Sequence, residues 1–73
     1  MVNEAEVKVK SLQKALEILN CFTKKSSWGV TEISEQLDLN KSNVHNILTT
    51  FKAMGYLDQD DESGRYKLGL SVY

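Results

Sequence analysis

The sequence contains no proline and has only one cysteine and one histidine among its 73 residues. A single cysteine, Cys21, excludes a disulfide within the chain, and a single histidine excludes a zinc site of the Cys2His2 type. No run of about 18 apolar residues occurs, so no membrane span is predicted. The first ten residues lack the apolar core of a signal peptide. We therefore expect a reduced, cytoplasmic domain with no membrane partner, no metal and no other cofactor.

Negative charge is missing from one part of the chain. The sequence has ten acidic and nine basic residues, which gives a formal charge of −1, yet no acid occurs between Asp38 and Asp58. That segment carries Lys41, His45 and Lys52 among amides, hydroxyls and apolar residues. Nucleic-acid-binding domains are usually basic, so the net charge alone does not indicate such a partner. An argument for one must depend on this local distribution.

The length predicts one small domain or a piece of a longer chain. A chain of this size buries only about 60% of its unfolded surface, so dimerisation would help to stabilise it. Residues 1–10 form a charged N-terminal arm. From Ser11, a plausible N-cap, apolar residues recur with the period of a helix: Leu12, Ala15, Leu16, Leu19 and Phe22. Ile18 and Cys21 widen this surface, which is either a broad core face or a second face for a partner helix.

Two further helices are predicted on either side of the tight turn "DLN". Thr31 is a candidate cap for the first of them, and Glu32 and Glu35 are placed in its positive first turn. Its inward residues are Ile33 and Leu37.

The next helix runs from Lys41 to about Met54. Asn40 caps it, and Gly55 supplies the left-handed residue that ends it. Its core stripe consists of Val44, Ile47, Leu48, Phe51 and Met54.

A β-hairpin is predicted after the third helix. The strands "YLDQD" and "RYKLGL" flank the polar turn "DDESG", in which Gly64 can take a positive φ. Tyr66 and Leu68 alternate with Arg65 and Lys67, as in a half-buried strand. The whole is a mostly α winged helix-turn-helix over residues 11–73, with the helix-turn-helix at about 31–54 and the wing at about 56–69.

The acid-free helix fits a recognition helix, since a carboxylate there would be repelled by DNA phosphates. Helical geometry turns Ser42, Asn46, Thr49 and Ala53 away from the core. The first half of such a helix enters the major groove, so Ser42, Asn43 and Asn46 are the candidate base readers. A two-point bond from Asn to adenine contributes roughly 1–3 kcal/mol of discrimination. The remaining candidates are Lys41 for a phosphate, His45 and Thr49 on the same helix, and Arg65 for the minor groove or its phosphates.

Plainer interpretations of these residues stay open. Short polar residues such as Ser42 and Asn43 are favoured in any first turn, and His45 is either a phosphate contact, a solvated side chain, a pH switch or a ligand. Trp28 either plugs the core or marks an interface. The lysine pair at 24–25 is either solvated or a phosphate contact. The acidic hairpin tip at 60–62 argues against deep insertion of that tip beside DNA.

Several segments together resemble the N-terminal domain of the isocitrate-lyase-regulator (IclR) family of bacterial transcription factors. They are "SLQKALEILNCF", "VTEISEQLDLNKSNVHNILTTFKAMGYL" and "SGRYKLGLSVY", which run from Ser11 to Tyr73. The resemblance implies a winged helix-turn-helix that binds a near-palindromic operator as a homodimer. The first helix, through Leu12, Leu16 and Leu19, and the N-terminal arm are expected to help pair the domains. The resemblance also implies that Lys41, Ser42, Asn43, His45 and Asn46 face DNA and that Arg65 is the wing residue.

Two positions depart from the family pattern, which commonly has Thr at Asn43 and Arg at Asn46. Loss of that Arg predicts weaker salt-dependent affinity and a different base preference, towards adenine. The family also has a larger C-terminal domain that binds small-molecule effectors and drives higher oligomerisation. The chain is expected to lack it, and so to be the DNA-binding part of a repressor or an activator.

No enzymatic role is predicted, because no nucleophile–base pair, phosphate-binding glycine loop or cluster of His, Cys and Asp occurs. The alternative function is a winged helix that contacts protein, as an adaptor or a dimerisation module without DNA binding. The charge of −1 favours this alternative, whereas the acid-free helix and the family resemblance oppose it.

Overall fold

The computed structural model describes residues 8–69 and contains three helices and a three-stranded antiparallel sheet. The elements are α1 (Lys10–Cys21), β1 (Ser27–Trp28), α2 (Val30–Leu37), α3 (Lys41–Ala53), β2 (Leu57–Gln59) and β3 (Tyr66–Leu68). The predicted fold class, a mostly α winged helix-turn-helix, is confirmed. Residues 1–7 of the predicted arm and residues 70–73 lie outside the described residues.

The first two helices begin earlier than predicted. The amide of Gln13 donates to the carbonyl of Val9, so α1 starts at Lys10 and the prediction that Ser11 caps it is wrong. Gly29 is the N-cap of α2, since the carboxylate of Glu32 accepts from the Gly29 amide at 3.0 Å. The predicted cap Thr31 therefore lies inside the helix, and Glu35 lies beyond its first turn.

The turn between α2 and α3 was predicted more accurately. Asp38 takes the left-handed conformation, with φ of 54°, and ends α2. The side chain of Asn40 accepts from the amide of Ser42 at 3.1 Å, which confirms Asn40 as the cap of α3. Gly55, with φ of 88°, follows the end of α3 as predicted.

The core is built from one face of each helix and from the inner side of the sheet. Ile18, Ile33, Val44 and Leu48 are fully buried. They are joined in the core by Cys21, Phe22, Trp28, Leu57 and Tyr66.

The predicted apolar stripe of α1 was only partly right. Leu12 and Leu16 are 56% and 54% exposed, whereas Ile18 and Cys21, which we expected only to widen the stripe, are the residues that α1 buries. The stripe of α3 is confirmed except at Met54, which is 60% exposed. Met54 is the residue after the last turn of α3, where the neighbouring elements no longer cover the helix.

The sheet has the strand order β1–β3–β2, with Tyr66 of β3 paired to both Trp28 and Gln59. The strand β1 was not predicted, because two residues are too few for an alternating pattern. Gly64 has the expected positive φ of 75°. Leu68 is 42% exposed, so only Tyr66 fulfils the predicted burial of β3. Of the three helices in residues 8–69, none has the length and apolar character needed to cross a bilayer.

Trp28 packs into the core at the end of the connector, residues 22–26, that joins α1 to β1. This confirms the first of its two interpretations, a core plug. It is 6% exposed, and its indole nitrogen donates to the carbonyl of Cys21 at 2.8 Å. This bond joins the end of α1 to β1. Burial also raises the pKa of the neighbouring Cys21 thiol, which favours its neutral form.

Candidate nucleic-acid interface

One surface of α3 is polar and exposed. Val44 and Leu48 fix its orientation, because both are completely buried against the rest of the domain. The predicted contact residues on this helix are all exposed: Lys41, Ser42, Asn43, His45, Asn46 and Thr49. The structure therefore presents to solvent every side chain of α3 that the sequence nominated.

The start of α3 is organised by Asn40. Its side-chain oxygen accepts from both the amide and the hydroxyl of Ser42, at 3.1 and 3.0 Å. The Ser42 hydroxyl donates its proton inside the cap, so its oxygen is left to act as an acceptor. Lys41 stands beside this helix start, where the helix dipole and free amides already favour an anion.

Two surface grooves lie between α3 and α1. Asn43 and Asn46 line one groove of ≈ 290 Å³ together with Ser11, Lys14 and Ile47. An adjoining groove of ≈ 200 Å³ is lined by Ala15, Asn46, Ile47, Thr50 and Phe51. The amide side chains of α3 thus lie next to α1, a neighbour that the sequence prediction of the site did not include.

Arg65, the predicted wing residue, is held against the start of α2. Its Nε donates to the Ser27 hydroxyl at 3.1 Å, and its Nη2 donates to the Ser27 carbonyl at 3.0 Å. The same Nη2 lies 2.6 Å from a carboxylate oxygen of Glu32. These bonds tie the wing to β1 and to the helix-turn-helix.

Glu32 is the centre of this network. Lys25 donates to its other oxygen at 2.6 Å and also lies 4.4 Å from the centre of the Trp28 ring. The hydrogen bond from Lys25 is the main cause that lowers the pKa of Glu32 to about 2, and the Gly29 amide and Arg65 add to it. Lys25 is therefore engaged within the domain. Lys24 lines the same groove as Lys25 and Glu32 but makes no ion pair with that carboxylate.

The tip of the wing is a compact acidic turn. One carboxylate oxygen of Asp60 accepts from the amide and the hydroxyl of Ser63, at 2.8 and 2.7 Å. These two bonds lower the pKa of Asp60. Lys52 connects the wing to α3 by donating to Gln59 at 3.1 Å. The wing is thus bonded to α3 through the last residue of β2, and its tip is negatively charged.

The amino-acid sequence matches the family model of the IclR helix-turn-helix domain over residues 11–61. The chain belongs to the IclR family. It is 37% identical over 65 residues to the HTH-type transcriptional regulator XynR of Escherichia coli K12. It is also 35% identical over 65 residues to the HTH-type transcriptional regulator KdgR of Dickeya chrysanthemi.

These alignments cover 88% and 89% of this chain but 26% and 21% of the two relatives. This IclR-family domain therefore spans about a quarter of the length of the curated relatives it matches. The fold agrees with this assignment. An IclR-family transcriptional regulator from Brucella abortus superimposes with a TM-score of 0.83 at 34% identity, covering 94% of this chain and 26% of that one.

The fold is shared more widely than the family. The Zα domain of PKZ from Carassius auratus, solved in complex with Z-DNA, gives a TM-score of 0.75 over 82% of this chain and 98% of that one. Its sequence identity is 16%, so this likeness concerns the fold alone.

The outer face of α1 in this IclR-family domain is apolar and uncovered. Leu12 and Leu16 are each more than half exposed, and Leu19 is partly buried. Leu16 and Leu19 also line a groove with Leu68 of the wing. The residues predicted to pair two domains therefore lie on one accessible side of α1, continuous with the end of β3.

Within residues 8–69, no three His, Cys, Asp or Glu side chains approach closely enough to hold a metal ion. His45 is exposed on α3 between Val44 and Asn46. Its place in the structure is therefore on the exposed polar surface of α3.

Proposed function

We propose that this domain binds duplex DNA sequence-specifically and is the DNA-binding part of a bacterial transcriptional regulator. The observation that carries this proposal is the exposed face of α3, which has no carboxylate although the chain as a whole has a net charge of −1. In this arrangement α3 lies in the major groove, and the wing lies on the adjacent backbone or minor groove. No catalytic step is part of the proposal.

The residues of α3 divide into two roles. Ser42, Asn43 and Asn46 contact base edges, because they belong to the first half of the helix, which enters the groove most deeply. Lys41 contacts a phosphate, supported by the helix dipole beside it. His45 and Thr49 contact the flanking backbone or bases further along the helix.

Arg65 has a predicted contact with DNA and an observed bond to Glu32. Its bonds to Ser27 and Glu32 are made by Nε and Nη2 and fix the angle between the wing and α2. We propose that Arg65 sets the position of the wing and meets the DNA backbone from that fixed place. The acidic tip at residues 60–62 then stays away from the phosphates.

Two copies of the domain bind together in this proposal. The exposed Leu12 and Leu16, with Leu19 behind them, supply an apolar surface on α1 for a second copy. A two-fold dimer places the centres of its half-sites about 34–36 Å apart, or a multiple of that, on a near-palindromic operator. We propose that higher oligomers form, and a small-molecule effector binds, only through a further C-terminal domain of the full-length regulator.

The alternative function is a winged helix that contacts protein without binding DNA. The same exposed leucines and the net charge of −1 favour it. It predicts that exposed side chains of α3 have no influence on any DNA sequence preference.

The deciding experiment is selection of bound duplexes from a random DNA library at a stated salt concentration. The comparison protein is Asn46→Ala, and Gln36→Ala removes an exposed amide from α2 as the matched control. We expect an enriched inverted repeat with the wild type and with the Gln36 variant. We expect Asn46→Ala to lose preference at one position by roughly 1–3 kcal/mol, about 5- to 150-fold.

Other outcomes separate the two functions. Enrichment that Asn46→Ala leaves unchanged would remove Asn46 from base recognition but keep DNA binding. No enrichment at low salt, for this domain and for a full-length regulator carrying it, would favour the protein-contact function.

A further inference from the structure

The inward face of α1 changes character along its length. Lys14 lies four residues before Ile18 and seven before Cys21, which places all three on one side of the helix. Ile18 and Cys21 are 0% and 3% exposed and belong to the core. Lys14 is only partly buried, because the core ends before its position. A charged residue therefore continues the face that is apolar one turn later.

This face of α1 borders the proposed base-reading residues. Lys14 and Ser11 form one wall of the ≈ 290 Å³ groove whose other wall contains Asn43 and Asn46. Ile47 also lines this groove. The ammonium group of Lys14 is thus carried next to the half of α3 that would enter the major groove.

The charge of Lys14 is not used within the described part of the chain. Lys25 and Lys52 bond to Glu32 and Gln59, but the ion pairs observed in residues 8–69 do not include Lys14. No carboxylate occurs on α3, and Glu17 of α1 is exposed. An ammonium held beside this open groove and lacking an ionic partner is suited to an anion that arrives with the ligand.

We propose that Lys14 contacts a DNA phosphate beside the recognition helix, so that α1 forms one wall of the DNA interface. This inference rests on the proposed function and adds a contact from a helix otherwise assigned to pairing. The DNA strand that flanks the major groove passes the mouth of the α1–α3 groove in this arrangement. Phosphate contacts fix register and add affinity without reading sequence. Lys14 therefore contributes to salt-dependent affinity and leaves base preference unchanged.

The test measures the affinity for one duplex at several salt concentrations. Each phosphate contact on duplex DNA contributes about 0.9 to the slope of log K against log salt. We expect Lys14→Gln to reduce the slope by about 0.9 for each bound copy of the domain. Lys24→Gln removes the same charge from a groove that Lys24 shares with Glu32 and Glu35. Those carboxylates disfavour a phosphate there, so this control should leave the slope unchanged. Lys14→Arg should restore it.

Base preference gives the second measurement. The ratio of affinities for the preferred and a scrambled duplex at fixed salt should be equal in Lys14→Gln and the wild type. Far-UV circular dichroism and sedimentation check that Lys14→Gln is folded and associates normally. If Lys14→Gln does not fold, Lys14→Ala is used in its place, because alanine has the higher helix propensity.

Two results overturn the inference in different ways. An unchanged slope in folded Lys14→Gln, with the wild type binding duplex DNA normally, shows that Lys14 contacts no phosphate and leaves the proposed function intact. Absence of salt-dependent binding by the wild type removes the proposed function and this inference together. If Lys14→Gln reduces the slope and also loses self-association, Lys14 acts in pairing two copies, and the inference of a phosphate contact is wrong.

Discussion

The Nη2 of Arg65 lies 2.6 Å from the carboxylate of Glu32 and joins the wing to the first turn of α2. The two residues are far apart in sequence and belong to different halves of the domain. Lys25 bonds to the second oxygen of the same carboxylate, so Glu32 connects the connector, α2 and the wing. The bonds of Arg65 to this partly buried carboxylate and to Ser27 therefore fix the angle at which the wing meets the helix-turn-helix.

Replacing Glu32 with Gln should destabilise the domain in a pH-dependent way. The pKa of Glu32 is about 2 in the folded chain against an ordinary value of 4.5. A lowered pKa means that the carboxylate contributes stability above about pH 4.5 and loses it as the pH falls to about 2. We expect Glu32→Gln to melt below the wild type at pH 7, with the difference shrinking under pH 4.5 and mostly lost near pH 2.

Melting followed by circular dichroism between pH 2 and 7 checks this. The lowered pKa of Asp60 is present in both proteins and cancels in the difference. Glu35→Gln, one turn along α2 and outside the network, is the matched control. A difference between Glu32→Gln and wild type that is constant across the pH range would contradict the assigned role of the carboxylate.

Trp28→Phe should destabilise the domain through one buried hydrogen bond. The change removes the indole donor and leaves the carbonyl of Cys21 without it, at a site where Trp28 is 6% exposed. The carbonyl keeps its second hydrogen bond, from the amide of Lys24 at 2.9 Å. The expected loss is therefore that of one net hydrogen bond, about 0.5–1.5 kcal/mol. Urea unfolding is followed by far-UV circular dichroism, since Trp28 is the one tryptophan of the chain.

Tyr56→Phe is the control for Trp28→Phe. Tyr56 is 40% exposed and packs edge to face on Phe51. Removing its hydroxyl should therefore change the free energy of unfolding by no more than about 0.5 kcal/mol. Equal midpoints for Trp28→Phe and wild type would show that the indole bond contributes nothing to stability.

The elements that sequence predicted well have strong local signals. The cap Asn40, the terminating Gly55 and the buried Val44 and Leu48 combine side-chain chemistry with helical spacing. The family resemblance added the order of the segments and the wing. These local rules sufficed to place α3 and its exposed surface.

The parts that sequence missed depend on tertiary packing. Leu12 and Leu16 have the same spacing as a core stripe, and only the position of the other helices shows that α1 buries Ile18 and Cys21 instead. The cap at Gly29 depends on the reach of Glu32, which a pattern of hydroxyl residues does not indicate.

Two features of the candidate site were also hidden from sequence reasoning. The bond from Arg65 to Glu32 joins segments that no periodicity relates. Lys14 had a detectable signal, its spacing of four and seven residues before Ile18 and Cys21. That signal is informative only once those two residues are known to face the core.

Asn46→Arg should strengthen DNA binding at low salt. The family pattern commonly has Arg at this position, and Asn46 is exposed, so the larger side chain can be accommodated without disturbing the core. A new phosphate contact steepens the slope of log K against log salt by about 0.9 for each bound copy. If the Arg reads guanine instead, the preferred base changes at one position.

Titrations of labelled duplexes at several salt concentrations separate these outcomes. Gln36→Arg adds the same charge to α2 and measures the nonspecific effect of charge alone. Equal slopes and equal preferences for Asn46→Arg and Gln36→Arg would place Asn46 outside the DNA interface.

The double change Leu12→Ser and Leu16→Ser should abolish self-association and leave the fold intact. Both side chains are more than half exposed, so the monomer loses little buried surface when they become polar. In a dimer they would be covered, and burying one leucine side chain contributes about 1.5–3 kcal/mol. Sedimentation equilibrium is expected to show dimers of the wild type and monomers of the variant at the same concentration.

Met54→Ser is the control for this double change, because Met54 is 60% exposed at the end of α3 and does not line the groove of Leu16 and Leu19. The variant without the leucines should still bind a single half-site but lose the gain from a second half-site one helical turn away. That gain depends on contact between two copies and not on α3. A wild type that stays monomeric at high concentration and binds two half-sites independently would show that α1 does not pair the domains.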